Sequence, residues 1–281
     1  EDADLDRAVA GIVWAGFSNA GQSCGGVQRV LVHQAVYRPF MEKLCARVCS
    51  LKSGRGPDAD LGPMTTLRQR DAVRGQVESC LAMGAEIAAQ SPPPDELASG
   101  GSVSPEAAGL WFPATVLRGV KETMPVMREE IFGPVLAAFP VADDAGALRV
   151  ANASPYGLTA SVWSRNRRAA GELARQINAG VVMINDHLMS HGLAETPWGG
   201  FGDSGFGRTH GETGFREMLK ATVIVDDILP GVRRNLWWQP YSARVYRGIR
   251  AIAELLGGAS LAKRLGALPG VLRIFFRYWE K

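Results

Sequence analysis

"GPVLAAFPVADDAGALRVANASPYGLTASVWS", Gly133 to Ser164, decides the fold class. "GPVLAAFPV" reads as a strand, Asp144 to Asn152 as a helix, and "TASVWS" as a second strand. Strand, helix and strand in that order form a βαβ rhythm, so the class is α/β, with a mostly parallel sheet flanked by helices. The rhythm extends both ways, through "WFPATVL" (111–117) before it and the Arg167 to Ile177 helix and "GVVMIN" (180–185) after it.

Towards the N-terminus, Leu5, Ala8, Val9, Ile12, Val13 and Gly16 recur at helical spacing over residues 4–17. "VQRVLVH" (27–33) alternates as a strand, and "PFMEKLCARVCSL" (39–51) reads as a second helix opened by its proline. Cys45 and Cys49 stand beside Leu44 and Val48 there and read as buried thiols. Residues 65–83 suggest a long amphipathic helix and 85–89 a short strand, whereas 91–109 is loop by composition. "ATVIVDD" (221–227) is a late β-branched strand.

A chain of 281 residues with 46% apolar side chains fills a core. It has four cysteines and no CxxC pair, which points away from a disulfide framework or zinc site and towards a reducing, cytoplasmic setting. Neither a spanning helix nor a signal peptide is expected, because no apolar run reaches eighteen residues and no basic-apolar-small leader is present. Glu1 opens "EDADLD", which reads as the lead-in to a helix inside a longer chain.

Charge divides the sequence in two. Residues 230–281 carry ten Lys/Arg against two Asp/Glu, while residues 1–229 carry 21 against 26. The tail is therefore a separate, helical extension, with Val245, Ile249, Ile252 and Leu256 on one stripe and "VLRIFFRYWE" at its end. A basic amphipathic helix with aromatic anchors can lie in a membrane interface, or it can pack on its own body or a neighbouring subunit. No nucleic-acid module is recognisable in it.

Three motifs match chemistry they are not expected to perform. "GQSCG" (21–25) fits the hydrolase nucleophile elbow with Ser23, but here a helix precedes and a strand follows, the reverse of that motif's order. "GFGDSG" (200–205) fits a dinucleotide fingerprint yet lacks the strand before and the helix after, so it reads as a loop that lets backbone approach backbone. His187, His191 and Glu195 are spaced like metal ligands on a helix, but Gly192 interrupts them, and no metal is expected.

"FSNAGQSCGG" (17–26) offers a cysteine flanked by glycines in an irregular loop, with access for a substrate and free backbone N–H groups. "FSNAGQSC", "MREEIFGPVL" (127–136), "NASPYGLTASVWS" (152–164), "GVVMIND" (180–186) and "PWGGFGDSGFGR" (197–208), in that order, resemble the NAD(P)-dependent aldehyde dehydrogenase superfamily over residues 1–227. The resemblance implies an aldehyde-dehydrogenase-like catalytic domain at 1–229 and a homo-oligomer joined through the late strand.

It also implies roles. Cys24 is the nucleophile that forms a thiohemiacetal with an aldehyde, its own N–H being one oxyanion donor. Glu130 binds the nicotinamide ribose hydroxyls, Phe132 packs near the nicotinamide ring, and Gln69 approaches the adenine ribose. Asn185 lies near the site's mouth or caps a turn, and Trp198 lines the aldehyde pocket or simply packs. The cofactor would be NAD or NADP.

The family's dinucleotide-binding domain, its oxyanion asparagine, its ribose lysine and its "ELGG" glutamate precede the cysteine, and nothing here represents them. The chain thus reads as the C-terminal portion of a dehydrogenase, inactive as one by itself. The tail hints at a lipophilic aldehyde, and the stretch 184–200 resembles bacterial branches that also include succinate-semialdehyde dehydrogenases. A cofactor-independent esterase or thioesterase using Cys24 or Ser23, and an inactive assembly module, are the competing readings.

Overall fold

The structure is a computed structural model describing residues 1–98, 109–187, 189–226, 231–232 and 234–279. The chain falls into two compact units, 1–219 and 220–281.

In the first unit, helix α1 (Leu5–Phe17) begins where Asp4 accepts from the Arg7 N–H at 3.2 Å, satisfying one orphan donor of the first turn. It buries Ala8, Val9, Ile12, Val13 and Gly16, as the spacing predicts. A Cβ on Gly16 would meet the Leu136 side chain at 2.7 Å, so the missing side chain sets how closely α1 lies on the sheet. Strand β1 (Arg29–His33) follows, then α2 (Gln34–Cys49), α3 (Leu67–Ala82), β2 (Glu86–Gln90), β3 (Thr115–Arg118), β4 (Val135–Val141) and α4 (Asp144–Asn152).

These strands form one sheet in the order β1-β4-β3-β2. β1 pairs parallel to β4 with Arg29 opposite Ala137, and β3 parallel to β4 with Thr115 opposite Val135. Only β2 runs antiparallel. Val135, Leu136, Ala137 and Ala138 are fully buried, since a parallel strand is covered on both faces and needs an unbroken apolar run. Leu44, Leu117, Met124 and Ile131 complete the centre of the core, each contributing about 1.5–3 kcal/mol by leaving water.

A crossover through α4 leads to β5 (Tyr156–Gly157), β6 (Thr159–Val162), α5 (Arg167–Ala174) and β7 (Val181–Ile184). β6 and β7 make a separate parallel pair, and β5 pairs antiparallel with β8 (Phe201–Gly202). Helix α6 (Gly211–Glu217) closes the unit.

Three expectations need correction. Helix α2 starts at Gln34, five residues before Pro39, because the His33 imidazole accepts from the Ala35 N–H at 3.2 Å and caps it there. Its buried face is Phe40, Met41, Leu44 and Val48, which leaves Cys45 half-buried and Cys49 exposed. Each cysteine follows a buried residue by one position, and about 100° of helix rotation carries it off the face. Finally, residues 221–226 form no strand: Val223, Ile224 and Val225 are exposed and unpaired, and Asp227 lies outside the described residues. The 91–109 loop holds one helical turn at Asp95–Ala98, and residues 99–108 also lie outside the described residues.

The second unit is a helical hairpin, α7 (Ala243–Gly257) and α8 (Leu261–Phe275), capped by Ser242 and Ser260. Of the expected row, Val245 is buried and Ile252 packs against the core, while Ile249 and Leu256 are exposed; Gly248 and Ala251 complete the buried face. Small residues win the interface because they let the helices close. A Cβ on Gly270 would sit 2.6 Å from that of Ala251, and one on Gly248 would overlap Ile274. Leu236, Val245, Ile274 and Tyr278 form the small core. Leu265, Leu272, Trp237, Trp238 and Trp279 remain on the outside. No helix among the described residues is long and apolar enough to cross a membrane.

Candidate active site

After Phe17 the chain cannot continue as α-helix, because Asn19, Ala20 and Gly21 adopt φ of 53°, 53° and 68°. Left-handed residues in succession turn it sharply. Asn19 and Gln22 lock the turn, Asn19 Nδ2 donating to the Gln22 carbonyl at 2.9 Å and Gln22 Nε2 to the Asn19 carbonyl at 3.1 Å. Cys24 emerges from this turn exposed, between half-buried Ser23 and buried Gly25. Cys80 is fully buried in the core, and burial pushes its thiol and that of Cys45 up, away from the reactive thiolate.

The second stretch is the turn around Glu130. Phe132 is left-handed, φ 51°, and such a conformation in an aromatic residue needs support from outside. Gln69 Nε2 supplies it, donating to the Ile131 carbonyl at 3.0 Å and the Phe132 carbonyl at 3.2 Å. Gln28 Oε1 accepts from the Ile131 N–H at 3.1 Å. Glu130 is left exposed.

Glycine joins the two stretches. A Cβ on Gly21 would overlap the carbonyl of Gly133 and lie 2.8 Å from the Pro134 nitrogen. The nucleophile loop and the Glu130 turn therefore pack backbone on backbone, which no side chain at position 21 would permit. Cys24 and Glu130 line the same groove, about 570 Å³ in volume.

His187 is the third component, and both its ring nitrogens meet protein groups. Its Nε2 lies 2.8 Å from the Gly25 carbonyl, which can only accept, so that nitrogen carries the proton. Nδ1, 2.9 Å from Ser161 Oγ, then accepts from the hydroxyl. The imidazole thus ties the residue after Cys24 to strand β6. Burial holds its pKa below the usual 6.5, partly opposed by the Gly25 contact and by Asp186.

That shift has a measurable consequence. The unfolded chain takes up a proton near pH 6.5 while the folded chain resists it, so His187 favours folding above that value and the benefit is lost as pH falls through its folded pKa. Urea midpoints measured from pH 8 to 5 are expected to drop below about pH 6.5 for the wild type and to flatten in His187→Gln. Parallel curves would show that the histidine is not the source.

The remaining expected site residues are engaged by neighbouring protein groups. Both polar atoms of the Asn185 side chain are taken by Ser164, Oδ1 accepting from its N–H at 2.9 Å and Nδ2 donating to its carbonyl at 2.8 Å. Asn185 therefore clasps the ends of β6 and β7. Trp198 is half-buried, donates from Nε1 to Ser190 Oγ at 3.2 Å, and exchanges backbone bonds with Thr209. "GFGDSG" is a close-approach loop: Gly180 lies against the Gly199 carbonyl, and Gly202 and Gly205 have φ of 57° and 120°. His191 and Glu195 are exposed. Sequence reasoning missed Gln22, Gln28 and His187 as loop supports, and no local pattern marks them, because their partners are backbone groups brought close only by the fold.

The sequence profile described as "Aldehyde dehydrogenase family" matches residues 1–224. A 4,4'-diapolycopene aldehyde oxidase of Methylomonas sp is 38% identical over 92% of this chain and 46% of its own length. A succinate-semialdehyde dehydrogenase [NADP(+)] of Mycobacterium leprae is 35% identical over 79% of this chain and 46% of its own. The chain spans about half the length of these relatives. The crystal structure of betaine aldehyde dehydrogenase from Staphylococcus aureus in complex with NAD+ superposes with a TM-score of 0.77 at 31% identity, over 85% of this chain and 46% of that one. With the family profile covering the loop of Cys24, the turn of Glu130 and the strands that carry them, this chain belongs to the aldehyde dehydrogenase family.

Proposed function

We propose that the full-length protein oxidises an aldehyde to a carboxylic acid with NAD or NADP, and that this chain is its C-terminal, cysteine-bearing part. The observation that carries the reading is the exposed, glycine-flanked Cys24 sharing one groove with Glu130. The Cys24 thiolate attacks the carbonyl carbon, and the oxygen of the resulting thiohemiacetal gains negative charge beside the backbone N–H of Cys24. When bound, the dinucleotide supplies an acceptor for the hydride that leaves the thiohemiacetal carbon. Water then cleaves the thioester, releasing the acid and restoring the thiol.

An exposed carboxylate in the same groove as the nucleophile fits the two hydroxyls of a ribose, and Glu130 would take them. Phe132, held left-handed by Gln69, would pack beside the nicotinamide ring, so Gln69 serves the cofactor by fixing that turn.

The sheet supports the fragment reading. β1 uses one edge on β4, β6 uses one edge on β7, and their other edges face each other across the groove, which both strands line throughout. At one end Thr159 Oγ1, where β6 begins, donates to the Gly25 carbonyl just before β1. At the other, Glu1 lies 4.0 Å from His33, and Asp2 accepts from Ser164 Oγ at 2.7 Å. The two strands therefore run the same way, and polypeptide preceding Glu1 would fill the gap as a strand parallel to both, beginning beside Cys24. Residue 29 strengthens the point: Arg29 lines the gap, and its Nε is buried without a hydrogen-bond partner. Adding the half of the protein encoded before Glu1 is expected to give dehydrogenase turnover that residues 1–281 alone lack. Ordinary turnover by 1–281 alone, or no coding sequence ahead of Glu1, would sink the idea.

The tail's outward tryptophans and leucines among arginines fit a lipophilic aldehyde taken from a membrane surface. Flotation with anionic liposomes is expected to carry 1–281 but not 1–229; equal soluble fractions would count against it. The unpaired Val223–Val225 stretch would add to a sheet edge of a second copy, and a monomeric mass by light scattering would argue otherwise.

A further inference from the structure

The second unit contains a buried charge that no carboxylate among the described residues neutralises. Arg277 is 3% exposed, and its Nη2 donates to the Pro240 carbonyl at 2.9 Å and to that of Trp238. Nη1 is buried with no hydrogen-bond partner, and no carboxylate pairs with Arg277 among the described residues. A buried cation without a counter-charge, and a buried donor without an acceptor, are both costly in a small core.

Arg277 borders a cavity of about 130 Å³ whose wall includes Arg234, Ser242 and Arg244 and, among the described residues, no acidic one. Ser242 is also the N-cap of α7, so the positive end of that helix's dipole lies at the same wall. A guanidinium fork, a second arginine, a hydroxyl and a helix start form a donor set suited to tetrahedral oxyanions. We propose that this cavity binds a phosphate group, with Arg277 Nη1 as its buried donor and Arg234 at its rim. The phosphate could belong to a lipid headgroup or be free in solution. Trp237, Trp238 and Tyr241 are exposed in the segment that leads into the cavity, which is the placement a headgroup beneath an interfacial aromatic cluster would require.

The test uses the whole 281-residue chain. Inorganic phosphate is expected to raise its melting temperature above that in chloride of equal ionic strength. Titration calorimetry should show one phosphate bound, weakened at least tenfold in Arg234→Gln and abolished in Arg277→Gln. Should Arg277→Gln fail to fold, Arg234→Gln and Arg277→Lys still read the site, the lysine losing the fork while keeping the charge. Vesicles containing phosphatidic acid separate the sources. Their binding, with competition by inorganic phosphate, assigns a headgroup; phosphate binding without vesicle binding assigns a free anion. No phosphate binding by the wild type, or binding unchanged in the folded variants, overturns the proposal.

Discussion

Alanine in place of Cys24 is expected to lower aldehyde oxidation by the full-length protein by at least about 10⁴-fold in kcat, since loss of a covalent nucleophile removes the reaction path itself. No neighbour replaces it. Ser23 is half-buried, and its hydroxyl has no general base among its hydrogen-bond partners within the described residues. Cys24→Ser, which keeps the shape, should be nearly as inactive, because a serine at this position lacks the thiolate. Substrate binding and melting temperature should change little, as Cys24 is exposed and packs no core. Retained turnover in the alanine variant would return the cysteine to a structural role. Alkylation offers a second readout: iodoacetamide should modify Cys24 far faster than Cys80, whose thiol is fully buried and raised in pKa. Peptide mapping is required, because Cys49 is exposed as well.

Gly21→Ala should be the most damaging single methyl addition near the site. The added Cβ would overlap the Gly133 carbonyl and approach the Pro134 nitrogen at 2.8 Å, and these are backbone atoms that cannot rotate away. At φ 68° an L-residue also pays about 1–2 kcal/mol for the left-handed conformation. Adding about 1–3 kcal/mol for overpacking gives a loss near 3 kcal/mol, or roughly 6–12 °C in Tm for a unit this size. Activity should fall further than stability does, because relief of the overlap separates the Cys24 loop from the Glu130 turn. An alanine variant with unchanged Tm and kcat would mean that the two loops are not pressed together. Gly56, whose added Cβ would meet nothing within 4 Å, is the control position.

Sequence periodicity revealed the βαβ rhythm and the α1 stripe because each is recorded in large apolar residues whose spacing matches a backbone period. It was silent where glycine does the work. The contact between Gly21 and Gly133 has no side chain to announce it, so the pairing of the Cys24 loop with the Glu130 turn had to come from family resemblance, and only the fold shows why the two segments meet. The same blindness misplaced half of the tail's inner face: Val245 and Ile252 do face the core, but Gly248 and Ala251 take the close helix contact and Ile249 and Leu256 are left outside. Residues 221–226 have strand propensity, but a strand also needs a partner edge, and propensity cannot supply one. The spacing of His187 with His191 and Glu195 said nothing of its part in the fold; only burial and the Gly25 carbonyl show it as a tether.

The parallel register that sets Arg29 opposite Ala137 also governs how the chain comes together in time. β1 must wait for β4, more than a hundred residues later, before their shared ladder can form, and β6 follows later still. Such long-range pairings raise contact order and slow folding. During synthesis β1 therefore leaves the ribosome with the edge that β4 will take still bare, and α1 and α2, which need only local bonds to begin, are available to shield it until β4 arrives. Yield in a cell should accordingly depend on chaperone supply and translation rate more than on the final stability of the fold.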